Sequence, residues 1–257
     1  MQLLLEKCNQ ADILWLDEFL DLKSFYFLSK EESISQDFTG LILRADGSGL
    51  SLRDALAQNI APTRVDFLSN RLQHRVRTSN RRQGLSKAVG LDKTSNSLSV
   101  LDATAGLGAD AWSLAALGCK VHMLEKSGLM AALLFDGLRR IRQEASGKTL
   151  ECARRLKLTH TDLIEFLAKH DDRPDVIVLD PMFPPRTKSA KVNKDMALMQ
   201  QFLPVNDDVE ELLALARERA GKRVVLKRPG KSDKSPSPAP DFQVPGKACH
   251  FQVFLAR

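Results

Sequence analysis

The sequence predicts an α/β protein: a doubly wound, mostly parallel sheet with a small N-terminal α+β accessory region. Three observations lead there. From Ser97 onward, short apolar runs alternate with stretches of helical length, the pattern of parallel strands joined by right-handed crossovers. The run Val176-Ile177-Val178-Leu179 is apolar at every position, as expected of a strand buried on both faces. The first such run leads into Asp102-Ala-Thr-Ala-Gly106-Leu-Gly108-Ala109-Asp110, a small-residue turn at the end of a strand, where open α/β sheets bind ligands.

Taken in order, residues 1–63 read as the accessory region and 64–257 as the main domain, which opens with a basic segment, 64–93. Ala11 to Phe27 has apolar Ile13, Leu14, Leu16, Phe19 and Leu20 between acids, which predicts a surface helix. Leu41–Leu43 and Leu50–Leu52 read as strands around an Asp46-Gly47 turn. In the main domain, strands are predicted at Leu98–Leu101, Val121–Leu124, Leu156–Leu158, Val176–Leu179 and Arg223–Lys227. Helices are predicted at Ala111–Leu117, stopped by Gly118, at Leu129–Ile141, at Leu163–Ala168 and at Val209–Ala220, ended by Gly221. Ser232–Pro240 is a Pro/Ser-rich loop, and His250–Leu255 is a last strand with which Phe242–Val244 pairs.

Composition is that of a globular chain, 257 residues with 43% hydrophobic and 27% charged. Leu3-Leu4-Leu5 is broken at once by Glu6-Lys7 and does not read as a leader, and no apolar run approaches a membrane span. Cys8, Cys119, Cys152 and Cys249 lack CxxC spacing, which argues against a disulfide framework and a zinc site and for the reducing cytoplasm. No metal is expected.

Net charge is +6 and the pI is about 9.2. Residues 1–60 hold ten acids and five bases, so the rest of the chain carries +11. Between Arg64 and Lys87 there are seven bases and one acid, Asp66. That excess points to a polyanionic partner, with Arg71, Arg75, Arg77, Arg81 and Arg82 as phosphate contacts; a merely solvated face normally mixes signs. His74 reads as a polar neighbour. Phe67 is the one aromatic in the stretch, too few for a single-strand stacking platform.

The glycine turn fits the loose G-x-G-x-x-G/A pattern, with Ala111 in the last place. Glu125 follows Gly106 by nineteen residues and ends the second strand, where a carboxylate accepts hydrogens from ribose hydroxyls. Enzymes using NAD and those using S-adenosylmethionine share this spacing. Asp162, after the third strand, suits either an adenine amine or a helix N-cap. At the end of the fourth strand stands Asp180-Pro181-Met182-Phe183-Pro184. A carboxylate and carbonyl acceptors beside an aromatic ring suit a planar ring with an exocyclic amine. Asp-Pro also suits a helix start, but Pro184-Pro185 delays any helix.

Three stretches, Asp102-Ala-Thr-Ala-Gly-Leu-Gly, Asp180-Pro-Met-Phe-Pro and Lys227-Arg-Pro, resemble the ribosomal RNA small-subunit methyltransferase J family over residues 64–257. The resemblance implies a class I methyltransferase fold, S-adenosyl-L-methionine as cofactor, and methyl transfer to the N2 amine of a guanosine in 16S rRNA. Small-subunit rRNA or the ribosomal subunit would be the partner. Asp180, Pro181 and Phe183 would handle the base. Cofactor contacts would come from Asp102, Gly106, Gly108, Ala109, Asp110, Glu125, Lys126, Asp162, Leu163 and Asp180. Where the family carries Arg this chain has Ala109, which leaves a backbone contact. Where it often has Ser after the third strand, this chain has Asp162-Leu163. An NAD-dependent oxidoreductase and a non-catalytic RNA-binding protein of the same fold are the alternatives.

Overall fold

The computed structural model describes residues 3–6, 15–21, 26–28, 38–56, 61–82, 84–181, 208–230, 238–246 and 249–256. The main sheet has seven strands: β5 (Ser99–Asp102), β6 (Lys120–Glu125), β7 (Leu156–His160), β8 (Val176–Leu179), β9 (Arg223–Pro229), β10 (Phe242–Pro245) and β11 (Cys249–Leu255). Their order is β7-β6-β5-β8-β9-β11-β10. Neighbours from β7 through β9 run parallel, and β11 runs antiparallel to both β9 and β10. Strand order reverses at β5, which is flanked by β6 and β8 with Val100 opposite Val121 and Val176.

Side chains alternate between two cores, as strand geometry requires. Val100, Val121, Val176, Val178 and Val225 face one core with α3 (Ala109–Ala116) and α4 (Gly128–Glu144). Leu101, Leu124, Ile177, Leu179 and Leu226 face the other with α6 (Leu163–Lys169) and α7 (Val209–Arg219). Burial of each such side chain contributes about 1.5–3 kcal/mol. The predicted strands and these four helices stand where the sequence put them. Among the described residues, three α-helices appear that it did not predict: α1 (Asn70–Thr78) and α2 (Gly84–Ala88) in the basic segment, and α5 (Gly147–Arg154).

The N-terminal part differs more. It is a four-stranded sheet, β2-β1-β3-β4, from β1 (Leu3–Glu6), β2 (Tyr26–Leu28), β3 (Leu41–Asp46) and β4 (Gly49–Asp54). The hairpin β3–β4 is as predicted, whereas the helix over Ala11–Phe27 is not. Trp15–Glu18 make a short 3-10 turn, Phe19 and Leu20 are a turn and bend, and Tyr26–Phe27 belong to β2; residues 11–14 and 22–25 lie outside the described residues. The apolar spacing there serves docking instead. Leu16 is fully buried, and the rings of Trp15 and Phe19 pack on Phe135 of α4.

The hairpin also shares its core with the main body: Leu41, Leu43, Leu50 and Leu52 cluster with Val65, Phe67, Leu134 and Leu138. Its fastening is Asp136, buried within α4. Asp136 Oδ2 accepts from the Leu50 N–H (2.9 Å) and from Arg140 Nε (2.8 Å), and Oδ1 accepts from Arg139 (3.1 Å). Arg140 also donates to the Val65 carbonyl. Gly49 is required here, since a Cβ would lie 2.6 Å from Asp136 Oδ2.

Candidate active site

The site lies at the carboxyl ends of β5, β6 and β8, over the point where strand order reverses. In open α/β sheets the two loops leaving such a point diverge and leave a crevice. The first loop runs from Asp102 into α3. Gly108, at φ +74°, is the residue before the helix, and a Cβ there would stand 2.8 Å from Leu134 Cδ1. Only glycine meets both demands. Gly106 faces open space, with no atom within 4 Å of an added Cβ. Its N–H donates to Glu125 Oε2 (2.8 Å), while Glu125 Oε1 accepts from the Ser127 N–H (2.8 Å). Burial raises the Glu125 carboxyl above its ordinary range, against the pull of those two N–H groups. A carboxylate has about four lone-pair sites, so Glu125 is held from below with capacity left for hydroxyl donors.

The second loop begins at Asp180, just after β8. Its N–H donates to Thr104 Oγ1 (2.6 Å), which ties it to the glycine loop across the crevice. Lys227 of β9 donates to Asp180 Oδ2 (2.6 Å) and to Asp110 Oδ2 (2.8 Å). Asp110 Oδ1 accepts from Arg75 of α1. Asp102 lies beneath, 3% exposed, and accepts from the Thr104 N–H (3.3 Å). Burial, reinforced by the Asp110 charge, pushes the Asp102 carboxyl up to about 7. Burial also raises Asp180, with Lys227 opposing it. For Asp110 burial acts upward too, but Lys227 and Arg75 overcome it and leave its pKa below the usual value. Lys227 is the mirror case: burial would lower it, and the two carboxylates hold it above the ordinary lysine range.

Asp102, Gly106, Gly108, Ala109, Asp110, Glu125 and Asp180 thus meet around one crevice. Pro181 is buried beside them, while Phe183 lies outside the described residues. Asp162 caps α6, its Oδ1 accepting from the Glu165 N–H (2.7 Å), and Leu163 is buried in the core. Lys126 is exposed just beyond Glu125. Two contributors were not singled out from sequence for these roles. Thr104 and Lys227 sit 76 and 47 residues from Asp180, and no local pattern marks such pairs.

The arginines of the basic segment differ in their surroundings. Arg71, Arg77 and Arg82 are exposed on or just after α1, and Arg75 turns inward to Asp110. Arg81 turns inward instead of joining the exposed arginines. Its guanidinium donates to the carbonyls of Leu91 (3.0 Å), Thr94 (2.6 Å) and Leu117 (3.2 Å), bracing the segment against the end of α3. Among the described residues, no group of three or more His, Cys, Asp or Glu is arranged to hold a metal, and no helix is long and apolar enough to cross a membrane.

These elements fit S-adenosylmethionine: an open, glycine-lined turn with a carboxylate at the adjoining strand end, and a second carboxylate across the crevice. The comparisons agree. Residues 28–256 match a family model described as "Putative SAM-dependent methyltransferase". The chain is 41% identical over 220 residues to a ribosomal RNA small subunit methyltransferase J from Thioalkalivibrio sulfidiphilus, covering 84% of this chain and 85% of that one. Its identity to the protein of that name from Yersinia enterocolitica is also 41%, over 87% of each chain. A crystal structure of a SAM-dependent methyltransferase from Neisseria gonorrhoeae superposes with a TM-score of 0.72 at 29% identity, covering 99% of this chain and 96% of that one. These relatives lend no support to the oxidoreductase alternative. The strand order, the crevice and the relatives converge: the chain belongs to the ribosomal RNA small subunit methyltransferase J family of S-adenosylmethionine-dependent methyltransferases.

Proposed function

We propose that the protein transfers a methyl group from S-adenosylmethionine to the exocyclic N2 amine of a guanosine in small-subunit (16S) rRNA. The observation that carries the reading is Asp180, a carboxylate at the strand-order reversal whose side chain is 38% exposed to the crevice and anchored on one oxygen by Lys227. The names of the relatives supply the RNA. When bound, the cofactor supplies an electrophilic methyl group. Glu125 would accept the ribose hydroxyls, and the backbone at Gly106 to Asp110 would line the rest of its cradle. Asp102, Lys126, Asp162 and Leu163 complete the proposed set, Leu163 by packing.

Asp180 and the Pro181 carbonyl would accept the two amine hydrogens, and Phe183 would stack on the guanine. The amine of guanine is a weak nucleophile, so the contribution of these residues is positional. The base must leave its stack to reach the crevice. Arg71, Arg77 and Arg82 would contact phosphates, with Arg75 placed between the RNA side and Asp110. Such contacts set affinity without reading sequence.

The test is incubation with methyl-labelled S-adenosylmethionine and small-subunit RNA or subunits from a strain lacking the gene, followed by nucleoside analysis. Label in N2-methylguanosine is expected. Label in another nucleoside, or none with either substrate, would overturn the assignment.

A further inference from the structure

We propose that Lys227 is a positioning residue for methyl transfer, clamping Asp180 to Asp110 across the crevice so that Asp180 stays ionised and aimed. The proposal rests on the function given to Asp180 above. Lys227 lies on β9, the strand next to β8, and its Nζ sits between two carboxylate oxygens at 2.6 and 2.8 Å. Its side chain is 24% exposed, so the contacts are partly shielded from water.

Four elements set charge around Asp180: Lys227 from β9, Asp110 from α3, Asp102 from β5 and Arg75 from α1; the Cys249 thiol of β11 also faces this cluster, and burial raises its pKa. Three carboxyl groups therefore face two cations, and Arg75 bonds Asp110 rather than Asp180. Without Lys227, three carboxyls would share one cation. Like charges in a desolvated site cannot all remain ionised, so a proton would settle on the cluster. A protonated carboxyl carries an O–H donor, where an amine hydrogen needs an acceptor. Burial already pushes Asp102 and Asp180 upward with the lysine present.

The clamp can be read without substrate. Carboxyl ¹³C NMR of the full-length, aspartate-labelled protein follows Asp180, whose signal is assigned by its loss in Asp180→Asn. In Lys227→Met its midpoint should rise by about one pH unit or more, while Lys227→Arg should stay near wild type. Asp110→Asn, which removes a competing charge and frees the lysine for Asp180, should move it down. In single-turnover transfer, Lys227→Met should be slowed on the order of 10²-fold near neutral pH. That loss should shrink as pH rises, and Lys227→Arg should restore most of the rate. An Asp180 midpoint unmoved in both Lys227→Met and Asp110→Asn would overturn the proposal. So would a rate loss of the same size at every pH. Should the wild-type protein transfer nothing to rRNA, the functional assignment falls, and the carboxyl titration still decides the clamp.

Discussion

Asp136 and Asp180 are both carboxylates set against cations, and they are built for different ends. Asp136 is 1% exposed and answered on both oxygens, by Arg139, Arg140 and the Leu50 N–H. Among the described residues, Asp180 has its one side-chain bond on Oδ2, to Lys227, and its side chain is 38% exposed. Around Asp136 cations outnumber the carboxylate; around Asp180 carboxyls outnumber cations. A carboxylate with its oxygens filled is a strut, here pinning the N-terminal hairpin to α4. One with an oxygen left over can meet a ligand. Glu125 is the intermediate case, with one backbone N–H on each oxygen and capacity remaining.

The contrast can be broken at each point. The largest effect is expected at the strut. Asp136→Ala leaves Arg140 without its carboxylate and should cost about 3–5 kcal/mol of stability, read by denaturant unfolding. A loss below about 1 kcal/mol, the scale of a surface ion pair, would mean that the hairpin is held by its apolar core alone. Next is Glu125→Ala, which should weaken S-adenosylmethionine binding by about 1–3 kcal/mol by leaving ribose hydroxyls unpaired. Calorimetry on the folded variant measures this, and unchanged affinity would class Glu125 with the struts. The smallest effect belongs to the exposed arginines. Reversing Arg77 and Arg82 together should flatten the salt dependence of RNA binding by about 0.7–0.9 in log–log slope per lost contact, without altering cofactor affinity. Arg81→Ala sharpens that test: it should lower stability and leave the slope unchanged.

Much of the fold was legible because its signals are local. Val176–Leu179 is apolar on both faces, and Gly118 stops α3 just after its last turn. Helix α1 was hidden because it has no fully buried residue and sets only Leu72 and Val76 against the core, too few apolar positions to stand out among its arginines. The N-terminal stretch misled in the opposite sense. Leu16 and Phe19 sit at helical spacing, yet Leu16 is buried in the shared core and Phe19 packs on Phe135 of α4 and on His160 at the end of β7. Within the site, each carboxylate at a strand end was legible from its position. The partners were not: Lys227 meets Asp110 across 117 residues, and only the sheet order brings them together. Charge count likewise marked the excess of bases in the segment but could not show that Arg81 folds inward.

The central claim, that the Asp180 crevice performs the transfer, is tested most directly by the single-turnover rate of Asp180→Ala at saturating S-adenosylmethionine and small-subunit RNA. Misplacing the amine should slow transfer on the order of 10²-fold or more, while the variant stays folded and binds RNA much as wild type, since affinity comes chiefly from phosphates. A rate near that of wild type would contradict the account and leave Asp180 as no more than the start of a loop.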